Sequence, residues 1–277
     1  MTSLNTCQNK TVIFFINLDK KYGIGHFQRC LKFSSIFENF EKTIVSENKE
    51  NFKNFKTIKY KDFLKTKNFY NFAVIDNYKI KFSDEKKIKS RVLKIITIDD
   101  LCNRKFCSNF IINYDPLIKK NIYKNKKDKN SLLLLGKNFN FLENKEFNNT
   151  KVKKKIKVFI YLGQKNREEL IKNHILPKLK KEYIEEIIIA SKYNFNFKGL
   201  KLTFKYFKNY KETAKIIANC NIIIVSAGVT IYEALSQKKL IFTSKISTNQ
   251  NNNYKYLIKH NLVKDIKELK NLKLKNI

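Results

Sequence analysis

Apolar runs alternate with stretches of helical periodicity along the whole chain. In the first half, runs rich in Ile, Val and Phe predict strands at 11–17, 42–46, 56–60, 72–76, 93–98, 110–112 and 132–135. Apolar positions repeating every three or four residues predict helices near 26–40, 62–68 and 83–91. The same alternation returns in the second half, with strands predicted at 158–162, 186–190, 201–207, 221–225 and 240–242, and helices at 166–181, 210–219, 229–237 and 250–260.

This order of elements predicts an α/β fold. Strands that alternate with helices form parallel sheets through right-handed crossovers. A lysine- and asparagine-rich stretch at 137–152 separates the two series, so we expect two Rossmann-like domains, 1–140 and 141–277. Ligands of such sheets bind beyond the carboxyl ends of the strands, and a cleft between the two domains is the expected site.

The turn after the first strand is the most informative segment. Gly23 and Gly25 precede His26, and a helical pattern begins there. Glycine lets a ligand approach the backbone closely, and a helix N-terminus attracts anions. A histidine at this position is either a titratable group beside a phosphate or sugar, or a helix-terminal residue without chemistry.

A second strand–turn–helix segment follows the strand at 221–225. Gly228 has no side chain to shield the backbone, and Ser226 and Thr230 provide hydroxyl donors. This combination suits a diphosphate. Glu233 lies one turn into the helix, where a carboxylate can accept two hydrogen bonds from a ribose diol. A first-turn glutamate that stabilises the helix dipole is the alternative.

Further polar residues follow other predicted strands. Asp76 and Tyr78 come directly after one strand, and Asp100 after the next, preceded by a second aspartate that could hold a sugar or cap the following turn. Asn249 could cap the next helix or bind ligand, beside Gln250. Adjacent aspartates lack the DxD spacing of a nucleotide-sugar metal site, and no His/Cys cluster has zinc spacing, so we expect no metal and no cofactor.

The net charge of +34 raises the possibility of nucleic-acid binding. Only four of the 58 basic residues are arginine, which recognises phosphates and bases better than lysine does. The lysines are spread through the chain. An A- and T-rich genome explains this bias together with the abundance of Asn, Ile and Phe. The five cysteines form no CxxC pair, and no apolar run reaches 18 residues, so we expect a cytoplasmic protein with free thiols and no membrane span.

Five segments together resemble a known family. They are residues 23–29 (GIGHFQR), 75–78 (IDNY), 98–100 (IDD), 226–235 (SAGVTIYEAL) and 249–250 (NQ). Their order and spacing are similar to those of the UDP-2,4-diacetamido-2,4,6-trideoxy-β-L-altropyranose hydrolases of pseudaminic acid biosynthesis. The resemblance covers essentially the whole chain and implies the GT-B fold of two Rossmann-like domains.

The resemblance implies a metal-independent hydrolase that releases UDP from a UDP-sugar with inversion. His26 would be the general base for water, in the first domain, and the second domain would bind UDP. Contacts to the substrate are implied for Gly23, Gly25, Arg29, Asp76, Tyr78, Asp100, Ser226, Gly228, Thr230, Glu233, Asn249 and Gln250. One turn departs from the family pattern: GG(S/T)D is replaced by residues 163–166 (GQKN).

Three alternatives stay open at this point. A glycosyltransferase would use the same donor site but pass the sugar to an acceptor. A basic nucleic-acid-binding protein would show steeply salt-dependent binding. The altered turn at 163–166 also allows a degenerate enzyme. The sequence defines neither the sugar nor the oligomeric state.

Overall fold

The computed structural model describes residues 10–17, 25–46, 52, 54–139, 156–163, 167–179, 181–205 and 210–272. The chain divides into two compact units, Met1–Phe141 and Leu142–Ile277. Each unit contains its own parallel sheet with helices, so the predicted α/β class is confirmed.

The first unit is built on a seven-stranded sheet, counted over the described residues. Its strands are β1 (Thr11–Ile16), β2 (Glu41–Val45), β3 (Lys56–Ile58), β4 (Tyr70–Asp76), β5 (Val92–Ile98), β6 (Phe110–Asn113) and β7 (Leu132–Leu135). All pairings are parallel, in the order β3-β2-β1-β4-β5-β6-β7. The strand order reverses between β1 and β4, which makes their carboxyl ends the switch point where such folds bind ligands.

The central strand β1 shows why this sheet is buried on both faces. Val12 and Phe14 pack in one hydrophobic cluster, while Ile13 and Phe15 pack in another on the opposite face. A strand covered on both sides needs a continuous apolar run rather than alternation, as the segment TVIFFI has. Cys30 joins the first cluster from the helix that follows β1.

Within the described residues of this unit, three helices connect the strands. They are α1 (Gly25–Ser34), α2 (Tyr60–Lys65) and α3 (Phe82–Lys89). The predicted helix at 26–40 is shorter in the structure, because a 3-10 turn, Ser35–Phe37, follows α1. A further 3-10 turn, Lys120–Tyr123, lies in a stretch with no clear periodicity.

The second unit has a six-stranded sheet over its described part. The strands are β8 (Ile156–Tyr161), β9 (Ile184–Ala190), β10 (Leu202–Lys205), β11 (Ile222–Ser226), β12 (Leu240–Ser244) and β13 (Lys264–Asp265), in the parallel order β10-β9-β8-β11-β12-β13. This repeats the Rossmann arrangement, with its switch point between β8 and β11.

The helices of the second unit depart from prediction at one place. The described part of the segment at 166–181, which was expected as one helix, contains a short α4 (Glu168–Leu170), then a π turn at Ile171–Ile175 and a 3-10 turn at Leu176–Lys178. Pro177 explains the break, since proline lacks an N–H and clashes with the preceding turn. The other helices are α5 (Tyr210–Asn219), α6 (Thr230–Ser236) and α7 (Asn251–Lys259).

We predict that Phe159→Ala destabilises the second unit by about 3–5 kcal/mol. Phe159 is 0% exposed in β8, so truncation leaves a cavity in a core that cannot collapse fully. Denaturant unfolding followed by circular dichroism measures the loss. Tyr193→Ala, at a side chain that is 57% exposed, is the control and should change stability by less than about 0.5 kcal/mol. Equal effects of the two variants would contradict this assignment of the core.

Candidate functional site

A polar cluster lies at the carboxyl edge of the first sheet. His26 and Arg29 are in the first turns of α1, which follows β1, and Asp76 is the last residue of β4. Tyr78 and Asp100 follow β4 and β5. The structure therefore brings five sequence-predicted residues together at the switch point of this sheet.

Asp76 is the centre of this cluster. It is 1% exposed, and its Oδ1 lies 2.6 Å from Nδ1 of His26. Arg29 donates from Nε to Oδ2 at 2.8 Å and from Nη2 to Oδ1 at 2.6 Å. Burial alone would raise the pKa of Asp76, but the charge of Arg29 and the hydrogen bonds from His26 and Arg29 hold it below its ordinary value. Asp76 is therefore an ionised carboxylate.

This geometry determines which nitrogen of His26 carries the proton. Because Asp76 is ionised, the 2.6 Å contact requires a hydrogen on Nδ1. The 2.9 Å approach of Arg29 Nη2 to the same nitrogen is then a contact rather than a hydrogen bond. In the neutral ring, the lone pair lies on Nε2, which is the form a general base requires.

Arg29 connects the histidine to the neighbouring strands. Its Nη1 donates to Oδ2 of Asp100 at 3.0 Å and to the hydroxyl of Tyr114 at 2.5 Å. Burial alone would lower the pKa of Arg29, but Asp76, Tyr114 and Asp100 outweigh burial and raise it well above its ordinary value. The guanidinium is thus a permanent cation that joins α1 to the last residue of β4 and to residues that follow β5 and β6.

Tyr114 also belongs to this cluster, although the sequence did not predict it. It follows β6 directly, and the guanidinium of Arg29 lies 5.6 Å from its ring centroid. Burial, together with the nearby carboxylates, raises the pKa of Tyr114 to about 12, so its hydroxyl stays protonated. Its place after a strand of the same sheet was the only signal available in the sequence.

Tyr78 packs against the histidine ring. The two rings meet edge to face, with centroids 4.6 Å apart. The Tyr78 hydroxyl donates to the carboxylate of Asp100, at 2.7 and 2.9 Å from its two oxygens. Burial and the adjacent Asp100 raise the pKa of Tyr78 above its ordinary value. The Tyr78–Asp100 pair therefore restricts the ring of His26 from the side.

The adjacent aspartates after β5 have different partners. Asp99 accepts hydrogen bonds from the backbone N–H of Leu101 at 3.3 Å and of Cys102 at 3.1 Å, and from the Tyr123 hydroxyl at 2.6 Å. Asp99 therefore caps the next turn, one of the two interpretations left open above. Asp100 faces Arg29 and Tyr78 instead.

Two glycines of the first turn were also predicted. Gly23 lies outside the described residues. Gly25 is the first residue of α1. A substrate contact at either glycine stays a prediction.

The second predicted turn lies in the other unit, at the end of β11. Ser226 closes that strand, Gly228 follows, and Thr230 begins α6, which carries Glu233 in its first turn. A Cβ added to Gly228 would lie 3.4 Å from Nε2 of Gln250 and 3.6 Å from Oγ of Ser226. The structure thus brings Ser226, Gly228 and Gln250 together.

Two residues that the sequence analysis missed support this turn. Asn253 of α7 is buried and donates from Nδ2 to the carbonyl of Ala227 at 2.8 Å. Its side-chain oxygen accepts a hydrogen bond from the hydroxyl of Tyr232. Such a contact between two helices and a turn could not be predicted, because hydrophobic periodicity describes one element at a time.

Asn249 does not cap α7, one of the two interpretations left open above, and its contact with the substrate stays a prediction. A 3-10 turn, Thr248–Gln250, precedes α7, so Asn249 lies inside that turn rather than at the cap of the helix. Its exposed side chain accepts a hydrogen bond from Ser247. Gln250 accepts one from the backbone N–H of Ile246 at 2.9 Å, which fixes its amide beside Gly228.

The described residues contain no group of three or more His, Cys, Asp and Glu side chains arranged to hold a metal ion. Within the same part of the chain, no helix is long and apolar enough to cross a membrane.

Comparison with solved structures identifies the fold. UGT89C1 of Arabidopsis thaliana, solved with UDP-L-rhamnose, matches with a TM-score of 0.63 at 8% identity, over 96% of this chain and 89% of that one. MurG of Acinetobacter baumannii matches with a TM-score of 0.59 at 12% identity, over 95% and 89% of the two chains. Both are GT-B glycosyltransferases, so the chain has the GT-B fold of two Rossmann-like domains. No protein-family model matches the chain, and a search of curated proteins found no match.

We predict that Asp76→Asn lowers the free energy of unfolding by about 3–5 kcal/mol at pH 7, because it breaks a buried ion pair. A carboxyl whose pKa is lowered by folding stabilises the protein above its unfolded pKa, and this contribution is lost as pH falls through the folded value. The difference between wild type and variant should therefore shrink below about pH 4.

Urea unfolding at several pH values measures this difference. Asp128→Asn removes an exposed pair with Lys89 and is the control, with an expected change of less than about 1 kcal/mol. A difference for Asp76→Asn that stays constant from pH 7 to pH 3 would contradict the assignment of Asp76 as the ionised partner.

Proposed function

We propose that this chain cleaves a UDP-sugar at its anomeric carbon, with His26 as the general base for the attacking nucleophile. The observation that carries the proposal is the 2.6 Å contact between His26 Nδ1 and the buried carboxylate of Asp76. The GT-B fold and the complex of a neighbour with UDP-L-rhamnose support UDP-sugar as the substrate class.

The chemistry of the pair follows from its electrostatics. Asp76 holds the ring with its proton on Nδ1, so Nε2 can accept a proton from the nucleophile. As the ring becomes an imidazolium, the adjacent carboxylate stabilises the positive charge that forms. Arg29 fixes Asp76 through two hydrogen bonds, so the carboxylate does not need to reorganise during the reaction.

The leaving diphosphate is assigned to the turn that contains Ser226, Gly228 and Thr230. The missing side chain of Gly228 leaves room for close approach to the backbone, beside the amide of Gln250. Glu233 is assigned to the ribose diol. Because UDP is already a good leaving group, stabilising its charge is sufficient and no strong acid is needed.

Two nucleophiles are compatible with this base. The solved neighbours are glycosyltransferases, which favours an acceptor hydroxyl. The five-segment resemblance favours water, as in the nucleotide-sugar hydrolases. The burial of His26, whose exposed fraction is 4%, also favours a small nucleophile, because water reaches a buried ring more easily than a bulky acceptor does.

We predict that His26→Asn lowers kcat about 10²- to 10⁴-fold, the usual effect of losing a general base. The asparagine amide can still donate to Asp76, so stability and KM should change little. The measurement is UDP release from a UDP-sugar by the full chain. His260→Asn, the same change at an exposed histidine, is the matched control. Wild-type turnover by His26→Asn would contradict the role of His26 as base.

Isotope incorporation distinguishes the two nucleophiles. A panel of UDP-sugars is incubated with the chain in H₂¹⁸O, with and without candidate acceptors, and products are analysed by mass spectrometry and NMR. A hydrolase releases UDP without acceptor and places ¹⁸O on C1 of an inverted sugar. A transferase releases UDP only with an acceptor and produces an unlabelled glycoside. Absence of UDP release across the whole panel would contradict the proposed function.

A further inference from the structure

The carboxylate of Asp100 is already bound by other residues of the cluster. The Tyr78 hydroxyl donates to it, at 2.7 Å from Oδ1 and 2.9 Å from Oδ2, and Nη1 of Arg29 donates to Oδ2 at 3.0 Å. The side chain of Asp100 is 12% exposed. Both of its oxygens thus face protein donors, whereas the resemblance implies that Asp100 contacts the substrate.

The two partners of Asp100 hold His26 in different ways. Arg29 donates twice to Asp76, whose Oδ1 lies 2.6 Å from Nδ1 of the imidazole. The ring of Tyr78 meets the imidazole edge to face, with centroids 4.6 Å apart. The contacts therefore form a closed circuit that runs from His26 through Asp76, Arg29, Asp100 and Tyr78 and returns to His26.

This closed circuit fixes the plane of the imidazole as well as one of its atoms. A single hydrogen bond at Nδ1 holds that nitrogen but still allows the ring to rotate about the direction of the bond. The edge-to-face contact with Tyr78 opposes this rotation only while the tyrosine ring itself stays in place. Because Asp100 binds the hydroxyl at the far end of that ring, it controls the direction in which Nε2 of His26 points.

The surroundings of Asp100 also argue against a contact with the substrate. A diphosphate is anionic, so this carboxylate would repel it. A sugar hydroxyl would have to reach a side chain that is largely buried and already accepts from a guanidinium and a phenol. The arrangement therefore favours a role for Asp100 within the protein.

We propose that Asp100 is a positioning residue. It acts through Tyr78 and Arg29 to hold the imidazole of His26 in its reactive orientation, and it does not contact the substrate. This inference rests on the proposed function. A displacement of about 1 Å in a catalytic group can slow a reaction about 100-fold, so loss of Asp100 slows the chemical step and leaves the affinity for the substrate unchanged.

Steady-state kinetics of UDP release by the full chain distinguish the two roles. Asp100→Ala should lower kcat about 10- to 100-fold and change KM by less than about twofold. Asp100→Asn keeps one acceptor oxygen, so it should retain part of the lost rate, and it replaces Asp100→Ala if that variant does not fold. A raised KM with an unchanged kcat would overturn the inference, because it indicates a substrate contact.

The matched control is Asp84→Ala. Asp84 also accepts a hydrogen bond from a tyrosine, the hydroxyl of Tyr60 at 3.3 Å, and it lies in the same unit at the start of α3. This variant should keep the kcat and KM of the wild type. A loss of kcat equal to that of Asp100→Ala would overturn the inference, because it indicates a general disturbance of the unit.

A double-mutant cycle tests whether Asp100 acts through Tyr78. Tyr78→Phe keeps the ring and removes the hydroxyl that Asp100 binds. It should lower kcat in the wild-type chain and have no further effect in Asp100→Ala, because residues that act through one contact are not additive. Effects of the two changes that multiply in the double variant would overturn the inference.

Proton NMR of the His26 ring gives a measurement that does not depend on activity. The ring protons of His26 should change chemical shift in Asp100→Asn, because the Tyr78 ring beside them moves, and should keep their wild-type shifts in Asp84→Asn. Unchanged shifts in Asp100→Asn would overturn the inference, while the proposed function stands if His26→Asn still lowers kcat. If the wild-type chain cleaves no UDP-sugar, the proposed function fails and this inference fails with it.

Discussion

In the first unit, the alignment of α1 against β4 depends on one buried carboxylate. Asp76 ends β4, yet its two oxygens bind His26 and Arg29 of α1. A charge with an exposed fraction of 1% is tolerated only when it is paired and fully hydrogen-bonded. The helix after β1 must therefore begin where it does, with both side chains facing β4. The same constraint that aligns the helix also orients the imidazole.

Parallel topology explains why these residues meet. Strands β1, β4, β5 and β6 are neighbours, and their carboxyl ends carry α1, Asp76, Asp100 and Tyr114. Residues separated by up to 85 positions in sequence come within hydrogen-bond distance at one edge of the sheet. The second unit has the same strand order, and its turn at Ser226 and Gly228 also lies at a switch point.

Much of the fold could be predicted because burial imposes a local pattern. β1 and β11 are continuous apolar runs covered on both faces, and such runs are visible without any tertiary information. The π and 3-10 turns after α4 were missed because the prediction of a helix at 166–181 followed the helical periodicity and gave too little weight to Pro177. Strand β13 was missed because two residues, Lys264 and Asp265, carry no hydrophobic pattern.

The candidate site was predictable only in part, for a similar reason. His26, Asp76 and Asp100 are visible because they follow strands or glycines. The sequence does not show which partner each of these three side chains binds, because that depends on contacts between loops. Tyr114 and Asn253 act through such contacts, and the place of Asn249 inside a 3-10 turn before α7 is likewise not visible in the sequence.

The most direct test of the central claim is the tautomer of His26. Nitrogen-15 NMR of the full chain, labelled at histidine and assigned by comparison with a His26 variant, distinguishes a protonated Nδ1 from a protonated Nε2. The neutral ring held by an ionised Asp76 must show its proton on Nδ1 and its lone pair on Nε2. A neutral His26 ring with its proton on Nε2 would contradict the account.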